Sequence, residues 1–170
     1  MTRNLLAPLA APQGALRIAA RSLPTTGPWL SLVIPTFKER HNLEPLVEQL
    51  TQLLDRRLGG NYELIVVDDD SPDGTWELGL QLTRRYPALR VMRRQAESGL
   101  SSAVIRGWQV ADGQILGVID ADLQHPPEIL LQLLAKMQHG TDLALASRHV
   151  EGGGVSEWSL LRRTLSRGAQ

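Results

Sequence analysis

The chain of 170 residues contains no cysteine and no uninterrupted apolar run of the roughly 18 to 20 residues that a bilayer-spanning helix needs. The first absence excludes a disulfide framework, thiol catalysis and a zinc–thiolate site. Neither the dinucleotide fingerprint G-x-G-x-x-G nor the phosphate loop G-x-x-x-x-G-K-[ST] occurs, which argues against both of those nucleotide folds. What remains is a globular protein, because 42% of the residues are hydrophobic and the length suits one domain with a core.

The chain also has no net charge, since 18 basic side chains balance 18 acidic ones. This balance argues against nucleic acid as a partner, because such binding depends on neutralising many phosphates. The charges are nevertheless unevenly placed. Residues 1–38 carry four basic and no acidic side chains, residues 39–157 hold all 18 acids against 11 bases, and residues 158–170 carry three arginines. A solvated surface would explain this distribution as well as a functional one would.

The first 28 residues differ in composition from the rest, with four prolines and no acid. We predict a flexible tail over residues 1–28 and a single domain over residues 29–170. An acid-free start that contains arginine also resembles a transit peptide, which is the alternative for this segment.

From residue 30 onward, short apolar runs alternate with segments of 3.6-residue periodicity. The predicted strands cover residues 30–35, 64–67, 89–92, 115–119 and 143–146. The predicted helices cover residues 42–58 with Asn42 as a cap, 75–86 with Thr75 as a cap, and 101–111, and a fourth begins at Pro126-Pro127 and ends at His139-Gly140. This alternation predicts an α/β fold with a mostly parallel sheet and helices on both faces.

Polar clusters follow four of the five predicted strands, at residues 36–40, 68–73, 120–125 and 147–149. In parallel α/β sheets, ligands bind beyond the carboxyl ends of the strands. The coincidence therefore predicts an active site at that edge of the sheet.

Two acidic clusters carry candidate chemistry. Asp120 and Asp122 follow a buried strand at i and i+2, and two such oxygen ligands with Gln124 nearby suit Mg²⁺ or Mn²⁺. Pairs of this kind are also common in exposed loops. The run Asp68-Asp69-Asp70 needs donors, a cation or a ligand to offset its repulsion, and one carboxylate could bind a nucleobase or ribose. The alternative is that Asp70 or Asp73 caps the turn that follows.

Two basic features stand near the end of the chain. Arg148 follows the last predicted strand, where a guanidinium can bind phosphate or a sugar hydroxyl, or form a surface ion pair. Residues 158–166 form a short basic amphipathic pattern. It suits a membrane surface or an anionic substrate, or a terminal helix packed on the sheet.

Several segments then resemble one family in order. VIPTFKER at 33–40 is similar to the opening of inverting family 2 glycosyltransferases with the A-type nucleotide-diphospho-sugar transferase (GT-A) fold, and VVDDDSPDGT at 66–75 resembles its polyprenyl-phosphate mannose synthase branch. GLSSA at 99–103, DADLQHPP at 120–127, SRHVEGG at 147–153 and residues 158–166 continue the match. Members of this family are longer, so we expect the C-terminal part of the family domain to be missing here.

The resemblance implies a role for each matching residue. It assigns the nucleotide to Pro35, Phe37, Glu39, Asp68, Asp69, Asp120 and Ala121. It assigns the divalent metal, Mg²⁺ or Mn²⁺, to Asp120, Asp122 and Gln124. It assigns catalysis to Asp122, Arg148 and Arg162, with the two arginines binding phosphate or sugar groups and neutralising the acceptor.

The resemblance also implies the reaction: transfer of a hexose, mannose from GDP-mannose, to a polyprenyl (dolichyl-type) phosphate by a peripheral protein at the cytoplasmic face of a membrane. A phosphate acceptor is already an anionic nucleophile and needs no general base. Two alternatives stay open. One is UDP-glucose or another donor or acceptor on the same fold, and the other is an inactive remnant that binds nucleotide.

Overall fold

Four strands form one parallel sheet in the order β3-β2-β1-β4. The protein, a computed structural model, is described over residues 7–18, 27–124 and 126–147. Its elements are β1 (Leu30–Thr36), α1 (Arg40–Leu58), β2 (Tyr62–Asp68), α2 (Thr75–Leu82), β3 (Leu89–Arg93), α3 (Leu100–Gln109), β4 (Ile115–Val118) and α4 (Glu128–Gln138). The chain divides into two compact units, Met1–His125 with the sheet and α1 to α3, and Pro126–Gln170 with α4.

The helices of the first unit cover both faces of the sheet, as the sequence predicts. Neighbouring residues of a strand point to opposite faces, so Val66 and Val67 of β2 mark the two sides. Gly107 of α3 lies directly over Val67, whereas Gly79 of α2 lies over Val91, the partner of Val66 in the ladder. The α1 and α2 helices therefore share one face and α3 occupies the other. Every residue of β1 and β2 is buried, which explains their continuous apolar sequences.

The helix starts differ from the predicted ones, and two predicted caps are wrong. Asn42 lies inside α1, which begins at Arg40, and its side-chain amide donates to Glu39 Oε2 at 2.8 Å. Thr75 is the first residue of α2 and not its cap, because Asp73 Oδ1 accepts both the Thr75 N–H at 3.1 Å and the Thr75 hydroxyl at 2.6 Å. The α2 helix also ends at Leu82, earlier than predicted.

The predicted strand over residues 143–146 is wrong. In the described part of the second unit, residues 126–147, no strand is present, and Leu143 and Leu145 are 70% and 75% exposed. An apolar alternation becomes a strand only where a neighbouring strand takes up its backbone hydrogen bonds. None of the helices in the described ranges has both the length and the apolar character needed to cross a bilayer.

Residues 7–18, within the predicted tail, belong to the first unit and contact β3 and α3. Leu9 forms a parallel bridge with Met92 beside β3, and its N–H donates to the Val91 carbonyl at 2.6 Å. The Gln109 side-chain amide of α3 donates to the carbonyls of Ala15 at 3.0 Å and Arg17 at 2.9 Å. The Leu9 bridge thus pairs one position of the exposed β3 edge of the sheet, and Gln109 ties residues 15–17 to α3.

Candidate active site

The carboxyl ends of β1, β2 and β4 lie at one edge of the sheet because all four strands are parallel. The chain builds β1, β2 and β3 in one direction and then places β4 on the other side of β1. The order thus reverses between β1 and β4, and such a switch point opens a crevice beyond the strand ends. The loops after β1 and β4 start on the two sides of this switch point. The topology therefore brings the clusters at 36–40, 68–73 and 120–124 to the same edge.

Asp68, at the end of β2, is completely buried and bound within the protein. Its two oxygens accept hydrogen bonds from Thr36 Oγ1 at 2.8 Å, Ser71 N–H at 2.8 Å and Ser71 Oγ at 2.7 Å. Burial raises the pKa of Asp68 above its ordinary value, against the opposing effect of these hydrogen bonds and with a smaller contribution from Asp69. Asp68 thus supports the loop between β2 and α2, and its contact with a nucleotide stays a prediction.

The loop between β2 and α2, residues 69–74, is fastened to the loop after β1. Ser71 Oγ accepts the Lys38 N–H at 2.9 Å, and Thr75 Oγ1 accepts the Glu39 N–H at 3.1 Å. Arg40 adds two bonds, from its N–H to Asp73 Oδ2 at 3.3 Å and from its guanidinium to the Gly74 carbonyl. The S-P-D-G-T motif therefore supplies acceptors that hold the β1 loop in one conformation.

That conformation includes left-handed backbone at two non-glycine residues, Lys38 with φ 62° and Asp70 with φ 53°. Left-handed residues other than glycine persist where surrounding bonds impose them, and they cluster at functional sites. Here the bond from Lys38 to Ser71 and the ion pair of Asp70 with Arg93 are the constraints.

The three residues in and after β1 that the resemblance assigns to the nucleotide have different exposures. Pro35 is buried within β1, opposite Val67 in the ladder, and Glu39 is half-buried. Phe37 is 55% exposed, with the Lys38 ammonium 5.2 Å from its ring centroid. An exposed aromatic ring beside the switch point is available to stack on a planar ligand. Phe37 is thus exposed after β1 and Pro35 is buried within it, and their contact with a nucleotide stays a prediction.

Asp69 points to the third loop of this edge, the one between β3 and α3. Its Oδ1 accepts from Arg94 Nε at 2.7 Å, and its Oδ2 accepts the Gly99 N–H at 2.7 Å. Arg94 was not among the residues that the sequence analysis singled out. The signal was the pair Arg93-Arg94 directly after a strand, the same position as the acidic clusters. In the sequence, an arginine at this position resembles an ordinary surface charge. Only the fold shows that its side chain is buried.

The second acidic cluster lies in the loop after β4. Asp120 and Asp122 are exposed, whereas Ala121 between them is buried. Asp122 Oδ1 accepts the Gln124 N–H at 3.0 Å, so the chain turns back at this point through Leu123, whose φ is 58°. Alternation of exposed carboxylates around a buried alanine places both carboxylates on the solvent side of the loop, as the metal prediction requires.

This pair is not a complete metal cage. Among residues 7–18, 27–124 and 126–147, no group of three or more His, Cys, Asp or Glu side chains is arranged to hold a metal ion. Two carboxylates fit a Mg²⁺ or Mn²⁺ ion that takes its remaining ligands from a substrate phosphate and water. The predicted residues Arg148 and Arg162 lie outside the described residues, as do His125 and the basic pattern at 158–166.

The chain is similar to known proteins over most of its length. Residues 31–170 match the family model for glycosyl transferase family 2. The dolichol-phosphate mannosyltransferase of Pyrococcus furiosus is 49% identical over 140 residues, covering 82% of this chain and 39% of that protein. The enzymes of the same name from Mycosarcoma maydis and Saccharomyces cerevisiae are 40% and 37% identical, covering 84% and 80% of this chain and 50% and 51% of their own lengths. The chain thus spans about half the length, or less, of these curated relatives.

Solved structures show the same fold. The mannosyltransferase PcManGT from Pyrobaculum calidifontis, in complex with GDP-Man and Mn²⁺, has a TM-score of 0.53 at 24% identity, covering 69% of this chain and 34% of that one. The glucosyl-3-phosphoglycerate synthase from Mycobacterium tuberculosis, in complex with Mn²⁺, UDP and glucosyl-3-phosphoglycerate, has a TM-score of 0.50 at 26% identity, covering 65% and 40%. The predicted GT-A fold is confirmed. Because the family model matches well over half of its residues, the chain belongs to glycosyl transferase family 2.

Proposed function

We propose that this chain is a metal-dependent inverting glycosyltransferase domain that transfers mannose from GDP-mannose to a polyprenyl phosphate of the dolichyl type. The observation that carries the proposal is the exposed Asp120-x-Asp122 pair in the loop after β4, beside the switch point of a GT-A sheet. The names of the relatives supply the donor and acceptor class, since the three described above are dolichol-phosphate mannosyltransferases.

Asp120, Asp122 and Gln124 are the residues that would hold the divalent ion. When bound, the ion supplies Lewis-acid stabilisation of the negative charge on the departing diphosphate. Both solved neighbours contain Mn²⁺, which supports a divalent ion on this fold. Asp122 is fixed by its bond from Gln124, so one carboxylate of the pair is already oriented before any ligand arrives.

The nucleoside would lie over the loops after β1 and β2. Phe37 offers an exposed ring for the base, and Asp69 offers a carboxylate for a base N–H or ribose hydroxyl. Asp120 and Ala121 would border the same crevice from β4.

The acceptor brings a second anion to an acidic edge, so cationic groups are needed to lower the repulsion. We assign this role to Arg148 and Arg162, and we assign the contact with a membrane surface to the basic amphipathic pattern at 158–166. On this proposal the protein works peripherally at the cytoplasmic face, where the anionic lipid substrate is presented. The phosphate attacks as an oxyanion, so the reaction requires no carboxylate base.

The first experiment measures donor and acceptor directly. The full chain is incubated with radiolabelled GDP-mannose or UDP-glucose, polyprenyl phosphate in detergent, and Mn²⁺ or Mg²⁺, and the organic phase is counted. Label in the organic phase from GDP-mannose alone supports the proposal. Label from UDP-glucose alone moves it to the alternative donor, which is the nucleotide class bound by the glucosyl-3-phosphoglycerate synthase neighbour.

A binding experiment separates an inactive remnant from an enzyme. Titration calorimetry with GDP in the presence of Mn²⁺ should show binding by the wild type and its loss in Asp122→Ala. The control is Asp142→Ala, an exposed aspartate in the other unit, which should bind as the wild type does. Binding without transfer supports the remnant. Retained Mn²⁺-dependent binding in Asp122→Ala would overturn the metal assignment.

A further inference from the structure

Arg94 is a buried cation that neither the reaction nor the family motifs explain. Its side chain is 0% exposed, and it is among the largest fully buried side chains of the described residues. Its backbone N–H donates to the Asp68 carbonyl at 2.8 Å, so the residue is held at the end of the β2–β3 ladder. Burying a guanidinium is costly unless its donors are satisfied by well-placed acceptors. The identity of those acceptors therefore indicates what the residue does.

The guanidinium spans the loop between β3 and α3. Its Nε and one terminal nitrogen contact Asp69 Oδ1, the other terminal nitrogen donates to Ser102 Oγ at 2.9 Å, and the Gly99 carbonyl accepts at 3.0 Å. Arg94, Gly99 and Asp69 form a closed ring of hydrogen bonds, because the Gly99 N–H donates to Asp69 Oδ2 at 2.7 Å. Both carboxylate oxygens of Asp69 are thus hydrogen-bonded. Oδ1 accepts from the Arg94 side chain, and Oδ2 accepts from the loop that Arg94 also contacts.

A second arginine lies next to this ring of hydrogen bonds and is linked to it through Glu97. Arg106 of α3 is buried and donates through Nε to Glu97 Oε1 at 2.6 Å, and this bond lowers the pKa of Glu97 below its ordinary value. Glu97 Oε1 lies 3.9 Å from the guanidinium of Arg94. Two arginines and two carboxylates therefore balance in charge, and both arginines bond to residues of the loop at 95–99.

We propose that Arg94 is a positioning residue that presents the Asp69 carboxylate, with the Gly99 loop, to the nucleoside of the donor. The inference rests on the proposed function, because it takes Asp69 as a nucleotide-binding residue. It predicts that Arg94 sets the affinity for the nucleoside and leaves the metal–diphosphate end of the site, at Asp120 and Asp122, unaffected.

The neighbouring pair supplies a matched control within the same dipeptide. Arg93 pairs with Asp70 as Arg94 pairs with Asp69, but Arg93 and Asp70 are 29% and 40% exposed. The Arg93 guanidinium lies 4.2 Å from the ring centroid of Trp76 and makes no part of the Asp69 ring. A lysine at either position keeps the charge, but it is a point donor and cannot reproduce the planar fork of an arginine.

The experiment compares two ligands on the full chain. Titration calorimetry measures the affinities for GDP with Mn²⁺ and for inorganic pyrophosphate with Mn²⁺. Arg94→Lys should weaken GDP binding about tenfold, the effect of losing one charged hydrogen bond, and leave pyrophosphate binding within twofold. Arg93→Lys should change neither. Thermal unfolding of each variant verifies that it is folded.

A double variant tests whether Arg94 acts through Asp69. If it does, adding Arg94→Lys to Asp69→Asn should weaken GDP binding little further, since the two residues form one unit. Additive losses, an equal loss of GDP and pyrophosphate affinity, or unchanged GDP affinity in Arg94→Lys would each overturn the inference while leaving the proposed function intact. A wild type that binds no GDP with Mn²⁺ would overturn both.

Discussion

Thr36 and Asp68 are partners in the ladder at the ends of β1 and β2, and the Thr36 hydroxyl donates to Asp68 Oδ2 at 2.8 Å. Ser71 occupies the other acceptor positions of the same carboxylate. Ser71 Oγ in turn accepts from Lys38, so one buried aspartate organises the loops after two strands. The first motif and the second are therefore parts of a single structure.

The pH dependence of stability should reveal the buried state of Asp68. Burial raises the pKa of Asp68 in the folded protein above its unfolded value. The folded state then binds the proton more tightly, so this contribution to stability is full below the unfolded pKa and is lost as pH rises through the folded pKa. Asp68→Asn removes the titration. We expect its free energy of unfolding to rise relative to wild type from about pH 4 to pH 7 in urea unfolding.

Asp73→Asn is the control with the opposite sign. Burial alone would raise the pKa of Asp73, but hydrogen bonds from Thr75 and the Arg40 N–H outweigh it and lower that pKa. Its contribution is present above the unfolded pKa and is lost as pH falls through the folded one. Asp73→Asn should therefore lose stability relative to wild type as pH rises. A difference for Asp68→Asn that is flat or falls over the same range contradicts the assignment.

Gly107 allows α3 to pack closely on the sheet, and replacing it should destabilise the fold. A Cβ at Gly107 would lie 2.7 Å from both methyl groups of Val33 and 3.1 Å from Val67. Both valines are fully buried, so Gly107→Ala should cost about 1 to 3 kcal/mol of unfolding free energy despite the better helix propensity of alanine. Chemical denaturation measures the effect.

A second substitution identifies the clash as the cause. Val33→Ala removes the two methyl groups, so Gly107→Ala should cost much less in that background. At Gly79 in α2 the nearest atom to an added Cβ belongs to Val91, at 3.1 Å, so Gly79→Ala should be milder. An undiminished cost of Gly107→Ala in the Val33→Ala background would contradict a steric origin.

Replacing Glu63 is expected to lower the free energy of unfolding strongly, because this side chain is charged and yet buried. It pairs with Arg90 across β2 and β3, accepts the Ser31 hydroxyl at 2.6 Å, and accepts the Asp112 N–H at 2.6 Å. Glu63→Ala leaves a largely buried guanidinium without its main partner and should cost about 3 kcal/mol of unfolding free energy. The exposed pair of Glu44 with Arg85 is the comparison, and Glu44→Ala should cost under about 1 kcal/mol. Similar values for the two variants would show that the buried pair contributes no more than a surface pair.

Hydrogen exchange should show whether the N-terminal segment is docked in solution. The Leu9 N–H donates to Val91, and Gln109 holds the carbonyls of Ala15 and Arg17. Gln109→Ala should speed exchange at the Leu9 amide while global stability changes little, because only the local opening is altered. Gln52→Ala, which removes a single exposed bond to Glu48, should leave this amide unchanged. Unprotected exchange of Leu9 in the wild type would contradict docking.

Local pattern was sufficient for most elements of this fold. The strands β1 to β4 and the four helices were predicted near their observed positions, because apolar periodicity reflects which side of each element is buried. The place of Asp120 and Asp122 after a buried strand also followed, since parallel strands end at a common edge. Residues 143–146 failed because a strand depends on a ladder partner, which the pattern of one segment does not contain.

The amino-acid sequence by itself determined the fold class, the family and the residues that reach the carboxyl edge, because these depend on order and local periodicity. Only the tertiary structure decided what those residues do there. Asn42 proved to be inside a helix because Arg40 bonds to Asp73 and Gly74, more than 30 positions away. The roles of Asp68 in supporting a loop and of Arg94 in binding Asp69 also depend on distant partners. Those partners meet only when the sheet register is set. Burial makes those bonds important for stability, because a buried charge must be paired with groups that the fold brings to it.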